Sequence, residues 1–155
     1  MISSFEELAA ELKPSTNKLV FLSGFFEEFA VHNFSMDYKY HYLDFEQFMI
    51  ENKIDSKHFK DSDANRSTST SISIDKWTQK VAYEDQKHTI VIDGFSLERL
   101  PDLLAKNLLM QELLYLSRNT HRLKTNIVFA IYTQHGPLEE QILPKILQNS
   151  IVVKL

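Results

Sequence analysis

The chain has 155 residues, 43% hydrophobic and 25% charged, which indicates one globular domain spanning residues 1–155 rather than overall disorder. It contains no cysteine, which excludes disulfides, thiolate metal sites and cysteine nucleophiles and is compatible with a reducing intracellular compartment, nuclear or cytoplasmic. No stretch approaches the roughly 20 apolar residues of a membrane span, so we expect no membrane partner.

The first third of the chain predicts two strands among short helices. Residues 1–13 place apolar side chains on one helical face and predict an amphipathic helix. The apolar run at 18–24 predicts a buried strand, and the alternating aromatic residues of 38–45 predict a second strand ending near Asp44. Two further segments predict helical structure: a helix or turn at 25–34, and one or two helical turns at 46–53.

A polar segment separates the two halves. Residues 61–71 are small, polar and without periodicity, which predicts a mobile loop. Such a loop is either a plain solvated connection or a segment regulated by phosphorylation. Helical periodicity resumes at 73–85.

The second half predicts alternating strands and helices. Residues 89–93, 126–133 and 150–155 read as apolar strands. Pro101 suits the first turn of a helix that runs to about Arg122, and 137–148 predicts a helix with a kink at Pro144. Continuous apolar strands alternating with helices predict an α/β fold in three layers, a mostly parallel sheet with helices on both faces.

The segment after the first predicted strand does not fit a phosphate-binding loop. Such a loop needs several glycines and a Lys-Ser/Thr pair, so that backbone N–H groups and a cation surround the phosphates. Here Gly24 is followed by two phenylalanines and then by Glu27 and Glu28, which would repel an anion. We therefore expect no nucleotide hydrolysis by the usual loop and no cofactor.

The three glycines, Gly24, Gly94 and Gly136, each follow a predicted strand and mark the edge of the sheet where ligands bind in open α/β folds. Asp93 ends a strand beside Gly94. It is either a magnesium ligand in a site completed by another chain, or a cap of the following turn.

An acid/base set at the same edge is a further alternative. An enzyme reading would use Asp44, Asp93 and His135 at this crevice. Nothing in their spacing demands it, and a hydrogen-bonded turn is the favoured interpretation of His135. The six histidines lack zinc-site spacing, so no metal site is expected.

A basic cluster closes the long predicted helix. It comprises Arg118, Arg122 and Lys124, with His121 between them. Cations at this position are favoured by the helix dipole, and the functional alternative is a small patch that contacts the phosphates of DNA. Three fixed charges would give weak, strongly salt-dependent nucleic-acid binding unless a partner extended the surface.

Aromatic residues are abundant, with eleven phenylalanines and six tyrosines. Many lie in the first fifty residues, more than one sheet face is expected to bury, and exposed aromatics group at protein interfaces. Core packing accounts for part of the set. The candidates for a partner interface are Phe25, Phe26, Phe29, Tyr38 and Tyr40.

Residues 85–155 resemble the RecA-like recombinase fold. "HTIVIDGFSLERL" is similar to the Walker B strand and the segment after it, and "NIVFAIYTQHG" is similar to the next strand with its polar end. On this resemblance Asp93 corresponds to the Walker B aspartate and Gln134 to the strand-end glutamine that senses the nucleotide. The phosphate-loop lysine has no counterpart, so the resemblance implies a vestigial nucleotide site.

Small members of this superfamily without the loop are assembly subunits. The resemblance therefore implies a non-catalytic, RecA-like scaffold subunit whose partners are other RecA-like subunits in a hetero-oligomer. The leading expectation is a recombinase paralogue of the Shu complex type that assists DNA repair by homologous recombination. The alternatives are an accessory-ring subunit of Elongator, acting in tRNA modification, and a small α/β enzyme.

Overall fold

The computed structural model describes residues 2–54 and 73–155. The loop predicted at 61–71 lies outside the described residues. Within them, five strands form one sheet of order β2-β3-β4-β1-β5, in which all four neighbouring pairs are parallel. The strands are β1 (Leu19–Gly24), β2 (His41–Asp44), β3 (Thr89–Asp93), β4 (Asn126–Tyr132) and β5 (Ile151–Lys154).

The three central strands are the most apolar. Every residue of β1 is buried, and so are all but the last residues of β3 and β4. A parallel strand covered on both faces needs apolar side chains in both directions, which is why these runs are continuous rather than alternating. The outermost strands β2 and β5 are shorter and only partly buried. All five predicted strands are present.

Seven helices connect or flank the strands in the described residues. They are α1 (Phe5–Glu11), α2 (Ala30–Asp37), α3 (Phe45–Glu51), α4 (Ile74–Asp85), α5 (Leu103–Arg118), α6 (Leu138–Gln141) and α7 (Pro144–Gln148). Three of them begin at side-chain caps, in which Ser4, Asp44 and Asp102 each accept a backbone N–H. None of these helices is long and apolar enough to cross a membrane.

Two helix boundaries differ from the sequence-based expectation. The helix expected from Pro101 to Arg122 starts only after its cap and ends at Arg118, and a short 3₁₀ turn covers Thr120–Arg122. The helix expected at 137–148 is two helices rather than one kinked helix. Leu143 is extended (φ −58°, ψ 139°) because the residue before a proline disfavours the helical region.

The helices cover both faces of the sheet, which confirms the three-layer α/β prediction. On one face, β1, β3 and β4 contribute Phe21, Ile92 and Phe129 to a core that contains buried residues of α3, α4, α5 and α7. On the other face, Val20 and Val128 pack in a second core with buried residues of α1 and α2. Neighbouring residues on a strand point to opposite faces, so β1, β3 and β4 each supply both cores.

Candidate functional site

The carboxyl ends of β2, β3 and β4 enclose a cavity of about 560 Å³, called here the carboxyl-edge cavity. In open α/β sheets this edge is where ligands bind. The residues that line it are Asp44, Asp93, Gly94, Phe95, Ser96, Glu98, Arg99, Tyr132 and His135.

The parallel register brings distant residues together here. Asp44 on β2 lies opposite Asp93 on β3, and Asp93 lies opposite Ala130, two residues before Tyr132 on β4. Gly94 follows with a φ of +78°, a conformation that a side chain would strain. The chain therefore turns sharply at the strand end and leaves space above Asp93.

Asp93 is held by a tyrosine from the neighbouring strand. The Tyr42 hydroxyl donates a 2.6 Å hydrogen bond to Asp93 Oδ2. Asp93 Oδ1 is buried, and the Tyr132 hydroxyl also lies within hydrogen-bonding reach of the Asp93 carboxylate. The expected cap of the following turn is thus replaced by a cross-strand contact, for which the sequence offers no local signal.

Two tyrosines stay protonated beside this carboxylate. Burial, together with the hydrogen bond to Asp93, raises the pKa of Tyr42 well above its ordinary value. Burial, together with a hydrogen bond to the Asp93 carboxylate, likewise raises the pKa of Tyr132. Each tyrosine is a neutral hydroxyl at physiological pH, so neither is poised to act as a base.

The three residues of the enzyme interpretation all line the cavity, but they are not coupled. Asp44 Oδ1 accepts the backbone N–H of Gln47 at 2.8 Å and so caps α3. His135 is exposed in the turn after β4 and makes no hydrogen bond to Asp44 or Asp93 in the described structure. The three side chains therefore share the cavity without hydrogen bonds to one another in the described structure.

Arg99 is a cavity residue that the sequence reasoning missed. Its Nη1 donates to the carbonyl oxygen of Gly94 at 3.3 Å, and its Nη2 lies 3.8 Å from Glu46 Oε2. Its guanidinium also stands over the Phe45 ring, 5.8 Å from the centroid. The Arg99 guanidinium is therefore already engaged by contacts within the protein. Its position depends on how the chain turns after β3, and no sequence motif predicts that turn.

Gln134, the second residue of the vestigial nucleotide site, points elsewhere. It is exposed, and its Nε2 donates to the carbonyl oxygen of Phe26 at 3.3 Å. It therefore ties the end of β4 to the segment after β1, while Asp93 faces the cavity. The structure places Asp93 and Gln134 at the same edge of the sheet but not in one cavity.

The segment after β1, residues 25–29, is called here the aromatic-acidic loop. Phe25 and Phe29 are 77% and 63% exposed, and Glu27 and Glu28 are also exposed. Phe26 is buried, with its ring 5.9 Å from Phe5 and edge-on to another ring of the second core. Phe26 is thus a core residue rather than the surface residue we expected, because its ring fills the space between α1 and the end of β4.

The aromatic candidates at 38 and 40 behave differently from each other. Tyr38 is 41% exposed, whereas Tyr40 is only 5% exposed and stacks against it at 5.8 Å. Burial raises the pKa of Tyr40 to about 12. Tyr40 is therefore a second correction to the expected interface. Tyr38 follows α2 at the opposite end of the sheet from the aromatic-acidic loop, so the expected surface is divided between two edges.

The basic residues Arg118, Arg122 and Lys124 are exposed at the amino edge, where β4 begins. Arg122 stands over the Tyr115 ring at 5.9 Å. All three cations lie between the end of α5 and the start of β4. They lie across the full length of β4 from the carboxyl-edge cavity, so they cannot neutralise its acids.

No protein-family model matches the chain, and no curated protein matches its sequence. Within the described ranges no cluster of three or more histidine, aspartate or glutamate side chains is arranged to hold a metal ion.

Proposed function

We propose that the chain is a non-catalytic α/β scaffold subunit that binds other protein subunits in a hetero-oligomer. The observation that carries this proposal is the exposure of Phe25 and Phe29 within a single short loop. Large aromatic side chains are the residues most enriched at the energetic centres of protein interfaces. Two of them held in water on one loop are costly unless a partner covers them.

The same loop argues against nucleotide chemistry. It occupies the position after β1 where the resemblance would place a phosphate cradle. Glu27 and Glu28 stand there, exposed, where phosphates would need cations and backbone N–H groups. Three acids of the neighbouring cavity face a single arginine, which further disfavours an anionic ligand. These charges support a scaffold over an ATPase.

The biological setting follows from the resemblance. A recombinase paralogue of the Shu complex type, acting in DNA repair in the nucleus, is the setting we propose. In that assembly Arg118, Arg122 and Lys124 would join a composite surface that contacts DNA phosphates. An Elongator accessory ring is the alternative, in which the same residues would contact tRNA.

Co-purification tests the scaffold. The tagged full chain is expressed in its native organism, purified at endogenous level, and analysed by light scattering and mass spectrometry. Phe25→Ala is compared with wild type and with Tyr83→Ala, a control in which an aromatic residue 86% exposed on α4 is removed.

We expect wild type and Tyr83→Ala to retain the same stoichiometric RecA-like subunits and Phe25→Ala to lose them. A monomer in all three preparations, or identical partners for all three, would contradict the proposal. Fluorescence anisotropy of the purified assembly with single-stranded DNA and with tRNA then separates the two settings. Arg118→Gln should weaken binding of the preferred nucleic acid and reduce the salt dependence of that binding.

The enzyme interpretation retains one supporting observation, the convergence of Asp44, Asp93 and His135 on a single cavity. It predicts a polar small-molecule substrate that raises the unfolding temperature of the isolated chain. Loss of that stabilisation in His135→Gln would favour the enzyme, because a scaffold gives His135 no role in binding a substrate.

A further inference from the structure

A second cavity, of about 410 Å³, lies at the amino edge of the sheet beside the starts of β3 and β4, and is called here the amino-edge cavity. Its polar lining residues are Ser15, Asn17, Gln86, Lys87, His88 and Lys124. Cations from two separate loops meet here, since Lys87 precedes β3 and Lys124 precedes β4. No carboxylate of the described residues lines the cavity, although the chain as a whole has a net charge of −4.

The two lysines of this cavity have no counter-ion in the described part of the chain. Lys87 is only partly exposed, and neither Lys87 nor Lys124 forms an ion pair there. The acid nearest to Lys87 in sequence, Asp85, already pairs with His41 at 2.7 Å. The end of α4 borders the cavity through Gln86 and adds roughly half a negative charge from the helix dipole. Two lysine charges exceed that amount, so the cavity keeps a positive charge that a bound anion would neutralise.

A buried amide fixes one wall of the cavity. Asn126 is only 1% exposed, and its Oδ1 accepts the Lys18 backbone N–H at 2.7 Å. Its Nδ2 donates to the Lys13 carbonyl oxygen at 2.9 Å. These bonds fasten both ends of the loop that carries Ser15 and Asn17 to the start of β4. The wall is therefore formed before a ligand arrives, which lowers the cost of ordering it on binding.

The same amide determines which nitrogen of His88 carries the hydrogen. Asn126 Nδ2 donates to Thr89 Oγ1 at 3.3 Å, and His88 Nδ1 lies 2.8 Å from that hydroxyl oxygen. Thr89 is fully buried, so its hydroxyl hydrogen needs an acceptor, and His88 Nδ1 is the one within reach. The neutral ring then carries its hydrogen on Nε2, which makes no hydrogen bond within residues 2–54 and 73–155. His88 therefore offers an N–H donor beside two cations.

These groups match a phosphate better than a carboxylate. A phosphate presents its oxygens tetrahedrally and can meet donors from separate loops, whereas the two oxygens of a carboxylate lie in one plane. Lysine binds phosphate as a point charge and needs no planar, two-point match. Half of the lining residues are exposed, so the rest of a larger molecule can extend into solvent.

We propose that the amino-edge cavity binds a phosphate group, with Lys87 and Lys124 neutralising its charge and His88 Nε2 donating a hydrogen bond. The phosphate belongs either to a nucleic-acid backbone or to a free sugar phosphate, and the shared chemistry is the same. The nucleic-acid case rests on the proposed function and adds Lys87 and His88 to the contacts of Arg118 and Arg122. The sugar-phosphate case is independent of it.

Isotope-labelled full chain, titrated at low salt and followed by NMR, tests the site. The probes are ribose 5-phosphate and a short single-stranded DNA, and their neutral counterparts are ribose and the same DNA with methylphosphonate linkages. We expect saturable shifts centred on the backbone amides of Lys87 and His88, and about tenfold weaker binding of the neutral counterparts. Tighter binding of the DNA, compared per phosphate, assigns a nucleic-acid backbone, and equal or weaker binding assigns a free sugar phosphate.

Variants test the residue roles. Lys87→Gln and Lys124→Gln should each weaken binding of the charged probes by about tenfold. Lys80→Gln removes the same charge from an exposed position on α4 outside the cavity and should leave binding unchanged. Phe25→Ala should also leave it unchanged, so that failure here and failure of the scaffold proposal are separate results.

Three results would overturn the proposal. The first is equal binding of the neutral counterparts, or no binding of either charged probe. The second is equal affinity of Lys87→Gln and Lys80→Gln for the charged probes. The third comes from proton–nitrogen correlation spectra of the His88 ring, which should show the hydrogen on Nε2. A hydrogen on Nδ1 with a bare Nε2 would remove the donor on which the site depends.

Discussion

Phe29 takes a left-handed backbone conformation, with φ +67° and ψ 1°, at the residue that precedes α2. For a residue with a Cβ atom this conformation costs roughly 1–2 kcal/mol. The comparison of Phe29→Gly with Phe29→Ala isolates that cost, because both variants remove the ring and only alanine keeps the Cβ. Glycine also has greater conformational freedom than alanine in the unfolded chain. This freedom lowers the stability of Phe29→Gly by about 0.4–1 kcal/mol and offsets part of the relief of strain.

We therefore expect Phe29→Gly to be more stable to unfolding than Phe29→Ala by about 1 kcal/mol, or about 2–4 °C in Tm. Urea unfolding followed by circular dichroism measures this difference, provided that the two variants share one m-value. The same pair at Glu28, whose φ is not positive, is the control, and there alanine should be the more stable. A more stable alanine at position 29 would refute the assignment of strain.

The remaining predictions concern the core and the pH dependence of stability. Phe129→Ala removes a fully buried ring that contacts Phe21 at 5.7 Å, and it should lower the free energy of unfolding by about 3–5 kcal/mol in urea titrations. Burial raises the pKa of Glu112, so the folded state holds its proton more tightly than the unfolded state, and stability should fall as pH rises through the raised value. Glu112→Gln keeps an acceptor for the Ile74 N–H and should flatten that fall above pH 4.5, the ordinary pKa of a glutamate, as measured by thermal unfolding at a series of pH values. An unchanged slope would contradict it.

The strands were predictable because burial on both faces leaves a local signature. The runs that became β1, β3 and β4 are apolar at nearly every position, and their short length favours strands over buried helices. Helix ends were harder to predict. Asp102 and Leu143 shift the boundaries of α5 and α7 through capping and through the restriction imposed by the following proline.

The candidate site was predictable in place but not in its contacts. Strand-end position alone identified Asp44, Asp93 and His135 as neighbours. The Tyr42 hydrogen bond and the fold-back of Arg99 depend on which strands pair and how the following turn closes.

Burial of aromatic residues was the least predictable property. Phe25 and Phe26 are adjacent in the sequence, yet one is exposed and the other lies in the core. Their positions are decided by α1 on the same face of the sheet, which contributes Phe5 at 5.9 Å from Phe26. Composition cannot distinguish two identical neighbours when a distant helix covers only one of them.

The length of β4 has a consequence for how the protein responds to substitution. Its seven residues separate two groups of charges. Arg118, Arg122 and Lys124 lie before Asn126, and Glu27 and Glu28 of the aromatic-acidic loop lie beyond Tyr132. The separation is about 20 Å, more than twice the screening distance in physiological salt. Energetic effects of substitutions on the two sides should simply add. Substitutions can therefore change the charge of the cationic edge without altering the contacts at the acidic edge.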